Sequence, residues 1–115
     1  MLNVHEGPQS IRHNKVNPVK MQKGMITSNE PGLYFENKYG IRHENELLCI
    51  KIDENHLGFE PITYVPFDLD GIDVSLLTTQ ERKWLNDYHK MVYDKIYKYL
   101  TKKERLFLLK QTREI

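Results

Sequence analysis

The chain changes its hydrophobic period once, near Thr78, and that change limits what it can fold into. Upstream, apolar residues come in short runs bounded by Gly, Pro, Asn and Asp. Met25–Asn29, stopped by Pro31-Gly32, predicts one strand; Ile41–Ile52 predicts a longer one; Gly58–Val65 predicts a third, after a polar turn at Asp53-Glu54-Asn55. A short strand is expected near Leu2–His5, within an otherwise irregular stretch to residue 24. Loops are expected over residues 33–39 and from Pro66 to Asp73. Downstream, Thr78-Thr79-Gln80-Glu81 fits a capping box, in which a hydroxyl and a carboxylate satisfy each other's free backbone donors. Trp84, Leu85, Tyr88, Met91, Val92, Ile96, Tyr99 and Leu100 then recur at helical spacing, enough for about six turns with one apolar stripe. Core packing explains such a stripe, and a dimer face would as well. Thr101-Lys102-Lys103-Glu104 repeats the cap before a second helix holding Leu106, Phe107 and Leu109. The expected class is α+β: antiparallel strands in residues 1–66, followed by a tail with two C-terminal helices in residues 67–115.

With 115 residues, one domain with a real core is the natural size. Hydrophobic residues at 39% and charged residues at 29% mark a globular chain, and a net charge of +1 gives no reason to expect a nucleic-acid partner. Charge is uneven nonetheless. Residues 44–73 carry 8 acidic and 1 basic side chains, and residues 81–115 carry 10 basic and 5 acidic. These stretches can attract each other, within a chain or between two copies, or form solvated faces. No apolar run is long enough for a membrane span, and MLNVHEGPQ does not read as a signal peptide. Cys49 is the single cysteine, which excludes a disulfide framework and favours a reducing compartment. Its neighbours Leu47, Leu48 and Ile50 suggest a buried, inert thiol.

Chemistry-bearing residues gather at two points. On a strand, Arg42, Glu44, Glu46, Leu48, Ile50 and Ile52 share a face that turns from charged to apolar. Glu30 ends the preceding strand, just before a turn that Pro31 and Gly32 force, 14 residues ahead of Glu44. If the two strands pair, both carboxylates converge, and carboxylates are the usual ligands of a hard divalent ion. The plainer reading is a solvated strand end with a surface ion pair. His5, in the tight turn His5-Glu6-Gly7-Pro8, is either a proton carrier or a structural residue. His13, His43, His56 and His89 lack zinc-site spacing, and there is no His-Glu-x-x-His, phosphate loop or Gly-x-Ser-x-Gly.

Three ordered motifs carry a resemblance: His5-Glu6-Gly7-Pro8, then Gly24 through Glu30-Pro31-Gly32-Leu33-Tyr34, then Gly40-Ile41-Arg42-His43-Glu44-Asn45. The set resembles the C-terminal part of the pita-bread (creatinase/aminopeptidase-like) metallopeptidases, and among them the cytosolic-type aminopeptidase P group. The likeness continues through Phe59–Thr63, Pro66-Phe67-Asp68, Leu76-Leu77-Thr78 and Trp84–His89.

The resemblance implies an enzyme that removes the N-terminal residue from peptides with proline in second position. It implies two divalent ions, manganese foremost, with zinc or cobalt as alternatives. Glu30 is similar to the Glu that holds one metal and can shuttle protons, and Glu44 to the one that bridges both. Arg42, with Tyr34 beside it, resembles the Arg that orients a metal-binding Asp. His5 is similar to the His that contacts substrate and assists proton transfer. The family's two Asp and one His ligands belong to upstream motifs absent here, so the chain by itself is expected to be inactive. His43 and Glu46 stand where the family usually has apolar residues. Expected partners are the peptide, the upstream part of the same protein and a second copy as a homodimer, in the cytoplasm, with neither nucleic acid nor membrane. The alternatives are a prolidase-like Xaa-Pro dipeptidase and a non-catalytic dimerising module.

Overall fold

A single proline, Pro31, shapes the strand-rich part of the molecule. The structure, a computed structural model, describes residues 5, 7–12 and 19–115. These fall into two compact units, residues 1–63 and 64–115. In the first, β1 (Ile26–Asn29), β4 (Asn45–Lys51) and β5 (Leu57–Pro61) form an antiparallel sheet in the order β1-β4-β5. Between β1 and β4 the chain makes a hairpin of β2 (Gly32–Phe35) and β3 (Tyr39–Arg42). One register runs through both ladders: Asn29 faces Asn45, and Gly32 faces Arg42. Glu30 therefore falls opposite Glu44, and Pro31 opposite His43. The His43 N–H donates to the Pro31 carbonyl (3.2 Å), but proline has no N–H to return, and the ladder breaks there.

That break splits the expected Ile41–Ile52 strand into β3 and β4. The expected loop over 33–39 is a hairpin instead. Its turn puts Asn37 at φ 58°, a left-handed conformation that asparagine tolerates. Phe35 and Tyr39 close it with ring centroids 5.1 Å apart. β5 ends at Pro61 rather than Val65. The strand expected near Leu2–His5 lies mostly outside the described residues, and His5 itself is in no strand. Cys49, on central β4, is 1% exposed, as its apolar neighbours implied.

Both capping boxes are formed. Thr78 and Glu81 start α1 (Thr79–Ile96), and Thr101 and Glu104 start α2 (Lys102–Gln111). Because Thr101 must be extended to cap, the single long stripe cannot continue through it. α1 stops at about five turns, and Tyr97–Tyr99 form a 3₁₀ turn. The expected loop from Pro66 to Asp73 contains one 3₁₀ turn, capped by Asp68, and a second, capped by Asp73, follows it before α1. Segment 64–67 straps along α1. The Tyr88 hydroxyl donates to the Val65 carbonyl (2.7 Å), and the Phe67 N–H donates to His89 Nε2 (3.1 Å). Asn86 clamps the backbone of Ile115 from both sides (3.3 and 3.1 Å).

The buried face of the helices differs from the expected stripe. Val92 and His89 are fully buried, whereas Trp84 and Tyr99 are exposed. In α2 the buried residue is Leu108, and Leu106, Phe107 and Leu109 face out.

Candidate active site

The break at Pro31 positions the charged residues. Side chains of Ser28, Glu30, Glu44 and Glu46 lie on one face, because each pair stands at opposed positions of one register. Two opposed carboxylates repel unless a cation intervenes. Arg42 is that cation: its Nε lies 3.1 Å from Glu44 Oε2 and 3.7 Å from Glu30 Oε2. The other oxygen of Glu30 accepts from the Ser28 hydroxyl (2.9 Å) and lies 3.4 Å from His5 Nε2. Four of the five residues expected to form the site, His5, Glu30, Arg42 and Glu44, are thus joined through two carboxylates.

Tyr34 is the fifth, and glycine admits it. On the hairpin face that carries Arg42, the partners across the strands are Gly32–Arg42 and Tyr34–Gly40. The Tyr34 ring lies over both glycines. A Cβ on Gly40 would meet its Cδ1 at 2.5 Å, and one on Gly32 would meet its hydroxyl at 2.8 Å. The ring can thereby lie flat along the strands and bring its hydroxyl to Arg42. That hydrogen bond, followed by the charge of Glu44, holds the Arg42 pKa above its already high value. The guanidinium stays charged at any working pH.

Gly40→Ala should cost about 1 kcal/mol of stability by forcing the ring aside. The penalty should vanish when Tyr34 is also Ala, as chemical denaturation of the two single variants and the double variant would show. A penalty unchanged in the double variant would place the strain elsewhere.

The side chains of Arg42 and His5 are 49% and 68% exposed, so these ion pairs contribute little to stability. Their value lies in aim: the carboxylates are held with well-defined directions. Both present hard oxygen donors, which suit a divalent cation of the manganese or magnesium type. Among the described residues no third His, Cys, Asp or Glu joins them at metal-binding distance. The two glutamates fit part of a metal centre and do not complete one.

A cavity of about 390 Å³ opens beside them, walled by residues 9–12 on one side and β1 and Glu46 on the other. Gln9 ties the first wall to the sheet by donating to the Ile26 carbonyl (2.9 Å). Ser28 escaped the sequence reading although it sits two residues before Glu30 and so shares its face. Thr63, whose hydroxyl accepts from the Glu46 N–H (3.0 Å), lies in the Phe59–Thr63 likeness but carried no assigned role.

Comparisons with known proteins place the chain in a family. Residues 1–51 match the model of metallopeptidase family M24, and residues 55–115 match the C-terminal region of peptidase M24. Aminopeptidase P2 of Arabidopsis thaliana is 47% identical over 103 residues, 83% of this chain and 14% of its own length. A probable Xaa-Pro aminopeptidase P of Coprinopsis cinerea is 45% identical over 103 residues, 83% of this chain and 17% of its own. The solved X-prolyl aminopeptidase of Caenorhabditis elegans, described as a cytosolic enzyme with a di-nuclear active site, superposes with a TM-score of 0.79 at 33% identity. It covers 99% of this chain, which in turn covers 20% of it. The chain spans a fifth or less of the length of these relatives. That likeness bears out the pita-bread fold implied by the motifs, and with two family models matched end to end, the chain belongs to the M24 metallopeptidases.

Proposed function

We propose that these 115 residues form the C-terminal part of a dinuclear-metal aminopeptidase that releases the N-terminal residue from peptides with proline in second position. The observation that carries this reading is the placement of Glu30 and Glu44 at facing positions, tied through one arginine, in a chain matching Xaa-Pro aminopeptidases over most of its length. In the complete protein, two divalent cations, manganese in our reading, would supply an activated water and polarise the scissile carbonyl.

This chain's residues have distinct tasks in that site. Glu44 would bridge the two cations and Glu30 would hold one of them. Glu30 is also the group to move a proton, since its Oε1 already faces His5 and the Ser28 hydroxyl. His5 would steady the carbonyl oxygen as charge develops there. Arg42, anchored by Tyr34, would keep both carboxylates from turning away. The remaining ligands, two Asp and one His, would come from the upstream part of the same protein, and the working site would be cytoplasmic.

The test uses the complete manganese-loaded polypeptide. It should hydrolyse an Xaa-Pro-Xaa tripeptide and leave Xaa-Ala-Xaa nearly untouched, measured as released N-terminal amino acid. Equal rates on both peptides, or none on either, would sink the reading.

The complete protein would also be a homodimer. Leu76, Trp84, Leu106, Phe107 and Tyr99 are all large apolar side chains more than 60% exposed, an unusual amount of bare apolar surface for a finished domain. The chain alone should therefore self-associate in sedimentation at tens of micromolar, a range of about 10–100 µM in which exposed apolar surface drives association. A clean monomer there would count against the dimer.

A further inference from the structure

Glu44 does not fix its own place in the sheet. Its N–H and carbonyl form no hydrogen bond among the described residues, so the direction of its side chain is inherited from the neighbours that do. On the β1 side, Asn45 pairs with Asn29, and the His43 N–H reaches the Pro31 carbonyl. On the β5 side the bonded positions recur at every second residue of β4. One of them sets Glu46 opposite Ile62, where a regular antiparallel pair exchanges two bonds. One is made in the ordinary way: the Ile62 N–H donates to the Glu46 carbonyl (2.9 Å). The other is not returned to the Ile62 carbonyl. The Glu46 N–H donates instead to the Thr63 hydroxyl (3.0 Å), so a side chain stands in for the backbone just after β5 has ended at Pro61. That bond is the one nearest Glu44 on this side of β4.

Glu46 and Thr63 are both half-buried. Without the hydroxyl, the Glu46 N–H would lack an acceptor, and the start of β4 would have to turn to find one. Arg42 cannot hold Glu44 against such a turn, because its ion pairs are largely solvated and therefore weak. A ligand carboxylate, however, has to be held within about 0.5 Å of its working position. We infer that Thr63 is a positioning residue of the metal site: its hydroxyl pins the start of β4 and so aims the Glu44 carboxylate at the cations it would bridge. This rests on the reading of Glu44 as a metal ligand.

The experiment is calorimetric titration of the complete, metal-stripped polypeptide with manganese, which requires no turnover. Glu44→Ala should weaken binding, as the loss of a ligand must. Thr63→Val keeps the shape of the side chain without its hydroxyl. It should weaken binding about tenfold, the lower end of what losing a ligand's outer hydrogen-bond partner costs. Thr63→Ser keeps the hydroxyl without the methyl and should bind as the unaltered protein does. Should Thr63→Val fail to fold, amide exchange in the unaltered protein decides, because linkage is reciprocal: a bond that favours the metal is favoured by it. Saturating manganese should slow exchange at Glu46 by the same factor of about ten. It should leave Ile52 unchanged, whose N–H bonds the His56 carbonyl (3.0 Å) at the far end of the ladder. Manganese affinity untouched by Thr63→Val, or weakened equally by Thr63→Ser, would overturn the inference, as would Glu46 exchange indifferent to the metal. Each of these, with binding still lost in Glu44→Ala, leaves the metal reading standing. Binding that survives Glu44→Ala undiminished would refute that reading and this inference with it.

Discussion

Supplied with manganese and an Xaa-Pro peptide, the 115-residue chain alone should release no N-terminal residue above the rate of a Glu44→Ala control. Glu30 and Glu44 are two carboxylates, His5 contacts one of them, and no third ligand stands within reach among the described residues. A two-metal centre needs ions held about 3.5–4 Å apart, which takes a ligand set on both sides of each ion. With two carboxylates each ion would keep most of its waters and bind poorly. Arg42, moreover, already occupies both carboxylates, and a weakly bound ion must compete with it. The complete polypeptide should behave in the opposite way. It should turn over, and Glu44→Ala in it should lose more than the roughly 10–100-fold that removal of a ligand's outer hydrogen-bond partner costs. The measurement is amino-acid release from the same peptide by both proteins. Robust turnover by the short chain, abolished by Glu44→Ala, would mean that a second copy completes the site.

The convergence of Glu30 and Glu44 is legible in the sequence because it needs only period and punctuation. One residue closes a strand before Pro-Gly, the other opens the next, and antiparallel pairing does the rest. Both helix starts are equally plain, since a capping box is a local pattern that tertiary structure rarely overrides. The hairpin of residues 32–42 is hidden by its glycines. Gly32 reads as part of a turn and residues 33–39 as loop, yet Gly32 and Gly40 make room for Tyr34 inside a strand pair. By resemblance Arg42 orients a ligand from outside this chain. The structure puts it against the two glutamates within the chain, a contact that follows from the shared register. His89 is missed for a different reason. Among the histidines it lacks metal spacing, yet with Leu85, Val92 and Ile96 it falls on the i, i+4, i+7, i+11 line of α1.

Substituting His89 by Ala should cost about 3–5 kcal/mol, the range for emptying a large buried site, part of it from the Phe67 N–H losing its acceptor. The imidazole is fully buried, and its Nε2 accepts that N–H at 3.1 Å, so the ring is neutral with its proton on Nδ1. Nδ1 itself has no partner in hydrogen-bond geometry; the nearby Arg113 backbone favours its proton and the Arg113 charge opposes it. Burial is the largest influence, and it pushes the His89 pKa below the usual 6.5. The sign of the pH effect follows. Below about 6.5 the unfolded chain binds a proton that the folded one refuses. Stability is therefore complete above that value and declines as pH falls, by at most about 1.4 kcal/mol per pH unit for one proton. Hydrogen bonds hold the carboxyls of Glu81, Glu104, Asp53 and Asp73 below their usual range. The Ser75 hydroxyl is the main cause at Asp73, and the Thr78 N–H at Glu81. Their losses begin at lower pH, so the window between about 6.5 and 5 belongs largely to His89.

His89→Gln separates packing from titration, because its side-chain oxygen can still accept from Phe67 while carrying no titratable group. It should unfold at lower denaturant than the parent at about pH 7.5, yet show a flat stability profile between about pH 6.5 and 5, where the parent's falls. Trp84, the single tryptophan, lies in the same helix and reports unfolding by its fluorescence. A parent profile that is flat over this window, or one that falls equally in His89→Gln, would show that the buried imidazole is not what makes this unit sensitive to acid.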